Sequence, residues 1–117
     1  MSTKSVLIVD DSRVSRMMVS AIITNTHKDW TITEAASGDE AIAALSDFKP
    51  DIAIIDFNMP GIDGLQLAEK IKQQSPDTAI TLLTANVQDS IQAKAATLGV
   101  SFAGKPVTEE KIVAIIS

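Results

Sequence analysis

Three aspartates, a threonine and a lysine carry the chemistry that this sequence offers: Asp10, Asp11, Asp56, Thr84 and Lys105. Each stands at the end of a short apolar run. Asp10 and Asp11 close VLIVDD, Asp56 closes IAIID, Thr84 stands in ITLLTAN, and Lys105 follows VSFAG. Asp56 is the oddest, because strands buried on both faces read as near-continuous apolar runs and a charge left among them without partners is costly. Behind it Asn58, Pro60, Gly61 and Gly64 form a turn signal. Taken singly, each residue has a plain structural role: Asp11 as a helix cap, Thr84 as a β-branched strand residue, Lys105 as a solvated cation. Gathered at one place, three acids against one lysine leave an excess of about two negative charges, which water screens only in part. A divalent cation relieves that excess. All-oxygen donors, the absence of cysteine and a single distant histidine, His27, favour Mg2+ over Zn2+. A metal and a lysine neutralise phosphoryl oxygens, Thr84 donates a hydrogen bond to one of them, and a carboxylate serves as nucleophile; the set suits phosphoryl transfer. Asp56 is the best candidate nucleophile, with Asp10 and Asp11 better placed as metal holders.

The elements that must position these residues follow from hydrophobic periodicity. Strands are expected over Ser5–Asp10, Trp30–Ala35, Asp51–Asp56, Thr78–Thr84 and Gly99–Ala103. Helices are expected over Arg13–Thr26, Asp39–Phe48, Gly64–Gln74, Gln88–Leu98 and from Thr108 to the end. In the first helix Val14, Met17, Met18, Ala21, Ile22 and Asn25 trace a 3.6-residue stripe that is apolar until its last member and marks the core face. Met17, Met18 and Trp30 are read as core residues. Ser37 to Glu40 fits a capping box, and Ser75-Pro76 ends the third helix. Five strands, each followed by a helix, read as one (βα)5 doubly wound domain over residues 1–117, a five-stranded parallel sheet between two helical layers. The more polar second strand, WTITEA, belongs near an edge. Parallel strands share one C-terminal edge, where open α/β sheets bind ligands, so the five polar residues converge on one crevice.

Composition narrows the classes. With 117 residues, 45% hydrophobic and 21% charged, the chain has the size of one compact domain. No apolar run approaches the roughly 18 residues of a membrane span, and acids come too early in MSTKSVLIVDD for a secretory signal. Lack of cysteine fits a reducing, cytoplasmic setting. The net charge of −5 argues against direct nucleic-acid binding, since a polyanion demands a basic stripe. The densest basic pairs, Lys70 with Lys72 and Arg13 with Arg16, are read as solvated helix faces. His27 is read as a solvated loop or helix-end residue.

Four motifs in order, VLIVDDSRVSR, DFNMPGIDG, LLTAN and FAGKP, closely resemble the receiver domain of two-component response regulators, including the single-domain chemotaxis (CheY-like) type. The resemblance covers essentially the whole chain and implies a flavodoxin-like fold. It implies that Asp56 is the phosphoacceptor and that Asp11 ligates Mg2+ directly. Asp10 would do so through water, with Asp56 and the backbone carbonyl of Asn58 as further ligands. Thr84 and Lys105 contact the phosphoryl group, and Phe102 is the switch aromatic, here without a phenol. Asn58 and Asn86 flank the phosphoryl site and tune its lifetime, and a cis bond joins Lys105 to Pro106. The implied protein is a signalling switch rather than an enzyme acting on a separate substrate, although it catalyses its own phosphorylation and slow dephosphorylation. Its implied partners are a sensor histidine kinase or histidine phosphotransfer protein and an output partner on the helix 4–strand 5–helix 5 face. It would be a monomer or a phosphorylation-dependent dimer.

Three other readings compete. A phosphorylation-independent interaction module has the same fold but no need of all five polar positions. An aspartate-nucleophile phosphohydrolase places its nucleophile on the first strand with a second acid two residues on, whereas Asp56 is on the third and is followed by Asn58 at that spacing. A flavin site fits the fold class alone, and the acids at the strand ends would repel its phosphate. The last helix, TEEKIVAIIS, is short and ends apolar, which leaves open a stand-alone chain with a clipped helix and a piece of a longer protein with an effector domain.

Overall fold

The computed structural model describes residues 3–57, 61–85, 89–105 and 107–116. Strands and helices alternate: β1 (Ser5–Val9), α1 (Arg13–Thr26), β2 (Thr31–Ala35), α2 (Gly38–Ala44), β3 (Ile52–Asp56), α3 (Gly64–Gln74), β4 (Ala79–Thr84), α4 (Asp89–Leu98), β5 (Ser101–Gly104) and α5 (Glu109–Ile116). The strands form one parallel sheet in the order β2-β1-β3-β4-β5. This is the expected (βα)5 doubly wound, flavodoxin-like arrangement, with β3 at the centre and the polar β2 at an edge.

Alternation along the central strands sorts their side chains into two cores, because successive residues point to opposite faces. Leu7, Val9, Ala53, Ile55, Ile80 and Leu82 join Ala41, Leu67, Ala68, Ile71 and Ala95 of α2, α3 and α4 in one cluster. Val6, Ile8, Ile52, Ile54 and Leu83 join Val19 and Ile23 of α1 and Ile112 and Ile116 of α5 in the other. Burying each large side chain contributes roughly 1.5–3 kcal/mol, and all five residues of β3 are buried. Its closing aspartate is therefore carried, still buried, to the C-terminal end of the central strand.

The core face of α1 is not the expected one. Val19 and Ile23 are its buried residues, while Val14, Met17 and Met18 are 66%, 57% and 47% exposed. Residues at spacings of three and four share a helix face, so Arg16, Val19, Ser20 and Ile23 turn inward together. The inward face is less apolar than the outward one, which is why periodicity alone chose wrongly. Trp30 is half-buried and packs against the α1/α5 cluster. His27 caps the C-terminus of α1 and stacks on Trp30, with ring centroids 3.8 Å apart, so it is not a merely solvated residue.

Helix ends also depart from expectation in detail. Ser37 caps α2 by accepting from the Glu40 N–H at 3.2 Å, but the Glu40 carboxylate accepts from the Ala36 N–H rather than completing a capping box. The reciprocal box is on α3: Asp63 accepts from the Gln66 N–H at 2.9 Å, and the Gln66 side chain accepts from the Asp63 N–H at 3.0 Å. Helix α2 ends at Ala44, short of Phe48. Among the described residues no helix is long and apolar enough to cross a membrane.

The two faces of α1 give different outcomes when truncated. Ile23→Ala should cost about 2–5 kcal/mol as a cavity in the core, and Met18→Ala about 0.5 kcal/mol or less as a surface change. Denaturant unfolding of the two variants measures this. Comparable losses would contradict the assignment of the buried face.

Candidate functional site

Neighbouring strands β1 and β3 run in parallel, pairing Val9 with Ile55. The residues that follow them, Asp10 and Asp56, thus emerge side by side. The connection from β1 leads to α1 and then β2 on one side, and β3 leads to α3 and β4 on the other. This is the topological switch point at which an open α/β sheet forms a crevice. One carboxylate oxygen from each of Asp10, Asp11 and Asp56 lies within 4.8 Å of the others. Asp10 and Asp56 are each 4% exposed and Asp11 is exposed.

Lys105 reaches into the same place. Its Nζ is 3.1 Å from Asp56 Oδ1 and 3.7 Å from Asp10 Oδ2. The backbone aims it: the Lys105 N–H donates to the Thr84 carbonyl at 2.8 Å, continuing the β4–β5 pairing that sets Thr84 against Gly104. Thr84 is fully buried, and Asp56 pairs with Leu83, the residue before it. The structure therefore gathers Asp10, Asp11, Asp56 and Lys105 directly and sets Thr84 at the end of the adjoining strand. Phe102 is half-buried on β5 and packs against the α2/α3/α4 cluster. Asn58, Asn86 and Pro106 lie outside the described residues.

Close backbone packing fixes Asp56 from below. The Gly64 N–H donates to the Phe57 carbonyl at 3.1 Å, bringing the start of α3 onto the strand end. A Cβ at Gly64 would lie 2.8 Å from the Phe57 Cα and 3.0 Å from the Asp56 carbonyl oxygen. Only glycine permits that approach.

Asp10 is held on several sides. Its N–H donates to the Ala35 carbonyl at 3.1 Å, and its Oδ1 accepts from the Ser12 N–H at 2.9 Å. Ser12, not Asp11, is the N-cap of α1, accepting from the Ser15 N–H at 3.3 Å. The Asp10 carboxyl pKa is nevertheless raised above its ordinary value, first by burial and then by the charges of Asp56 and Asp11; the Ser12 N–H and Lys105 oppose the rise. Negative charge is crowded here beyond what one lysine offsets. Three carboxylates with no softer donor among them fit a hard divalent cation such as Mg2+.

Arg16 is the residue that the sequence reading missed. Expected on a solvated face, its side chain is only 14% exposed; Nη1 donates to the Asp10 carbonyl at 2.6 Å and Nε to Glu34 Oε1 at 3.1 Å. The signal lay in its spacing from Val19 and Ile23, three and seven residues on, which places it on the buried face of α1.

Comparison with known proteins agrees with this geometry. The family model described as "Response regulator receiver domain" matches residues 6–117. The chain is 34% identical over 112 residues to the "Probable transcriptional regulatory protein TcrX" of Mycobacterium tuberculosis, covering 93% of this chain and 46% of that protein. It is 33% identical over 98 residues to the response regulator protein VraR of Staphylococcus aureus, covering 84% and 47%. The chain thus spans about half the length of the curated relatives it matches. Among solved structures, the chemotaxis protein CheY4 of Vibrio cholerae superposes with a TM-score of 0.89 at 27% identity, covering 98% of this chain and 97% of that one.

The raised Asp10 pKa has a defined sign. The folded protein holds that proton more tightly than the unfolded chain, so stability falls as pH rises from the unfolded carboxyl range through the folded pKa, and the penalty persists above it. Asp10→Asn should therefore raise the melting temperature by a few degrees at neutral pH in the presence of a chelator, an advantage that disappears in acid. A thermal melt of the two proteins across pH checks this; a variant that melts lower at neutral pH would contradict it.

Proposed function

This chain belongs to the response regulator receiver domain family of phosphorylation-dependent two-component signalling proteins, and we propose that Asp56 is the residue on which it carries the phosphoryl group. The observation that carries this reading is the buried Asp56 carboxylate at the end of the central strand, paired with Lys105 at 3.1 Å and crowded by two further acids.

In this reading an Asp56 oxygen attacks the phosphorus of a phosphohistidine on a sensor histidine kinase or histidine phosphotransfer protein. The P–N bond breaks, the imidazole leaves, and an aspartyl-phosphate forms. Asp10, Asp11 and Asp56 hold Mg2+, which supplies positive charge to the phosphoryl oxygens. The same reading gives the cation the Asn58 carbonyl and leaves the phosphoryl lifetime to the Asn58 and Asn86 side chains. Lys105, already beside Asp56, shifts from a carboxylate oxygen to a phosphoryl oxygen, and the Thr84 hydroxyl donates to another. The modification adds about −1.5 to −2 charge and three strong acceptors. Thr84 draws its loop toward them, Phe102 repacks, and the α4–β5–α5 surface changes its affinity for an output partner, a two-state shift driven by local charge. Slow hydrolysis of the acyl phosphate, promoted by the chain's own residues, resets the switch in the cytoplasm.

The donor's docking surface is read from α1. Val14, Met17 and Met18 are exposed within the helix whose N-cap, Ser12, directly follows Asp11. An exposed apolar face on the helix that follows the acidic loop suits the helix that presents a phosphohistidine.

Incubation with Mg2+ and acetyl phosphate, followed by intact mass, tests the reading. A single hydroxylamine-labile phosphoryl adduct is expected, absent from Asp56→Asn and abolished by chelator, and Lys105→Met should slow its formation about a hundredfold. Joint replacement of Met17 and Met18 by serine should slow transfer from a phosphohistidine protein about tenfold, the loss of roughly 1.4 kcal/mol of contact. Equal labelling of Asp56→Asn would overturn the assignment, and no labelling at all would favour a phosphorylation-independent interaction module.

A further inference from the structure

Arg16 is bound at both sides of its guanidinium, to a backbone oxygen of the acidic loop and to a side chain of β2. The oxygen it takes is that of Asp10, in the peptide that joins Asp10 to Asp11. A peptide unit is planar and includes the Cα atoms on both sides. Pinning its carbonyl constrains ψ of Asp10 and φ of Asp11 together, and with them the directions in which both carboxylates leave the chain.

We propose that Arg16 is a positioning residue for cation binding: its guanidinium fixes the Asp10–Asp11 peptide so that the two carboxylates converge with Asp56, and Glu34 anchors the guanidinium. The inference rests on the reading of Asp10 and Asp11 as ligands of Mg2+.

Each of the two acids needs this contact to a different degree. Asp10 has other restraints, through the Ala35 carbonyl and the Ser12 N–H. Asp11 is exposed, so the aim of its carboxylate depends on its backbone. The contact is charge-assisted and short, at 2.6 Å, which marks the stronger kind of hydrogen bond. Its anchor is geometrically matched: Glu34 pairs with Ile8 in the β1–β2 register, two residues before Asp10, and its carboxylate meets Arg16 Nε at 3.1 Å. A planar fork can hold a carbonyl and a carboxylate at once, whereas a lysine ammonium on the same helix turn is a point charge on a flexible stem. The Arg16–Glu34 pair as an ordinary surface salt bridge would contribute little; it matters here because its other end holds the metal loop.

Two roles for Arg16 predict effects of opposite sign. If it acted only as a charge, its removal would relieve repulsion of an incoming cation and Mg2+ would bind more tightly. If it positions the loop, its removal weakens Mg2+ binding although the site becomes more negative. Residues that orient metal ligands typically cost ten- to a hundredfold in affinity when lost.

Calorimetric titration of the whole chain with Mg2+ at constant ionic strength separates them. Arg16→Gln should bind Mg2+ about tenfold more weakly than wild type. Arg16→Lys, which restores the charge but not the fork, should recover only part of the loss, and Glu34→Ala should weaken binding by a smaller factor in the same direction. Asp11→Asn serves as the ligand control and should lose most of the affinity. Arg16→Gln that binds Mg2+ as tightly as wild type or more tightly, while Asp11→Asn loses binding, overturns the positioning role and leaves the ligand reading intact. Wild type without measurable Mg2+ binding overturns both. If circular dichroism shows Arg16→Gln unfolded, Arg16→Lys, which keeps the charge, decides, and affinity equal to wild type there overturns the proposal.

Discussion

Mutual repulsion among three carboxylates is the constraint on which the rest of this site depends. One oxygen from each lies within 4.8 Å of the others, and two of the three residues are almost wholly removed from water. A group of like charges so placed holds together only where the surrounding protein supplies opposing charge and fixed dipoles. Those partners are what the nearby elements contribute. Lys105 comes from the end of β5, the Ser12 N–H from the start of α1, and Arg16 bonds the loop's backbone from one turn further on. The N-terminus of α1 adds the positive end of its dipole beside Asp11. Even so the Asp10 carboxyl remains raised, first by burial and then by the charges of Asp56 and Asp11, and three carboxylates gathered with one lysine suit a hard divalent cation.

The sheet makes that crowding structurally affordable. Its order places β1 beside β3 at the centre, so Asp10 and Asp56 emerge from strands that are almost wholly buried. Strand β4 adds Thr84 on the other flank, and its carbonyl orients the backbone of Lys105. Gly64 lets α3 close onto Asp56 and Phe57 from behind. Apolar packing of the two cores thus holds charges where they would not gather unaided.

Much of this was legible in the sequence, and the exceptions have a common origin. Strand positions, their alternation with helices and the polar residues at their ends all follow from local runs, because a residue buried on both faces must be apolar and a departure from that pattern stands out. Helix α1 was different. Val14, Met17, Met18 and Ala21 form the more apolar stripe, yet the folded helix turns Arg16, Val19, Ser20 and Ile23 inward. Periodicity assumes that a helix buries its most apolar face, whereas this one also faces an acidic loop, and Arg16 on its inner side bonds that loop. Arg16 was missed for the same reason. The capping box at Asp63 and Gln66 was hidden because its spacing was overshadowed by the turn residues before it, while Ser37 and Glu40 have the same spacing but complete only half of it.

The central claim is that the acidic cluster is an under-neutralised site built for a divalent cation, and the most direct measurement is the melting temperature of the whole chain as Mg2+ is raised at fixed ionic strength. A ligand that binds only the folded state stabilises it by about 2.7 kcal/mol at a hundred times its dissociation constant. Wild type should therefore climb steadily with the logarithm of Mg2+ concentration above that constant, and Asp11→Asn should stay nearly flat. A wild-type melting temperature that does not move with Mg2+, or that moves equally in Asp11→Asn, would contradict the account.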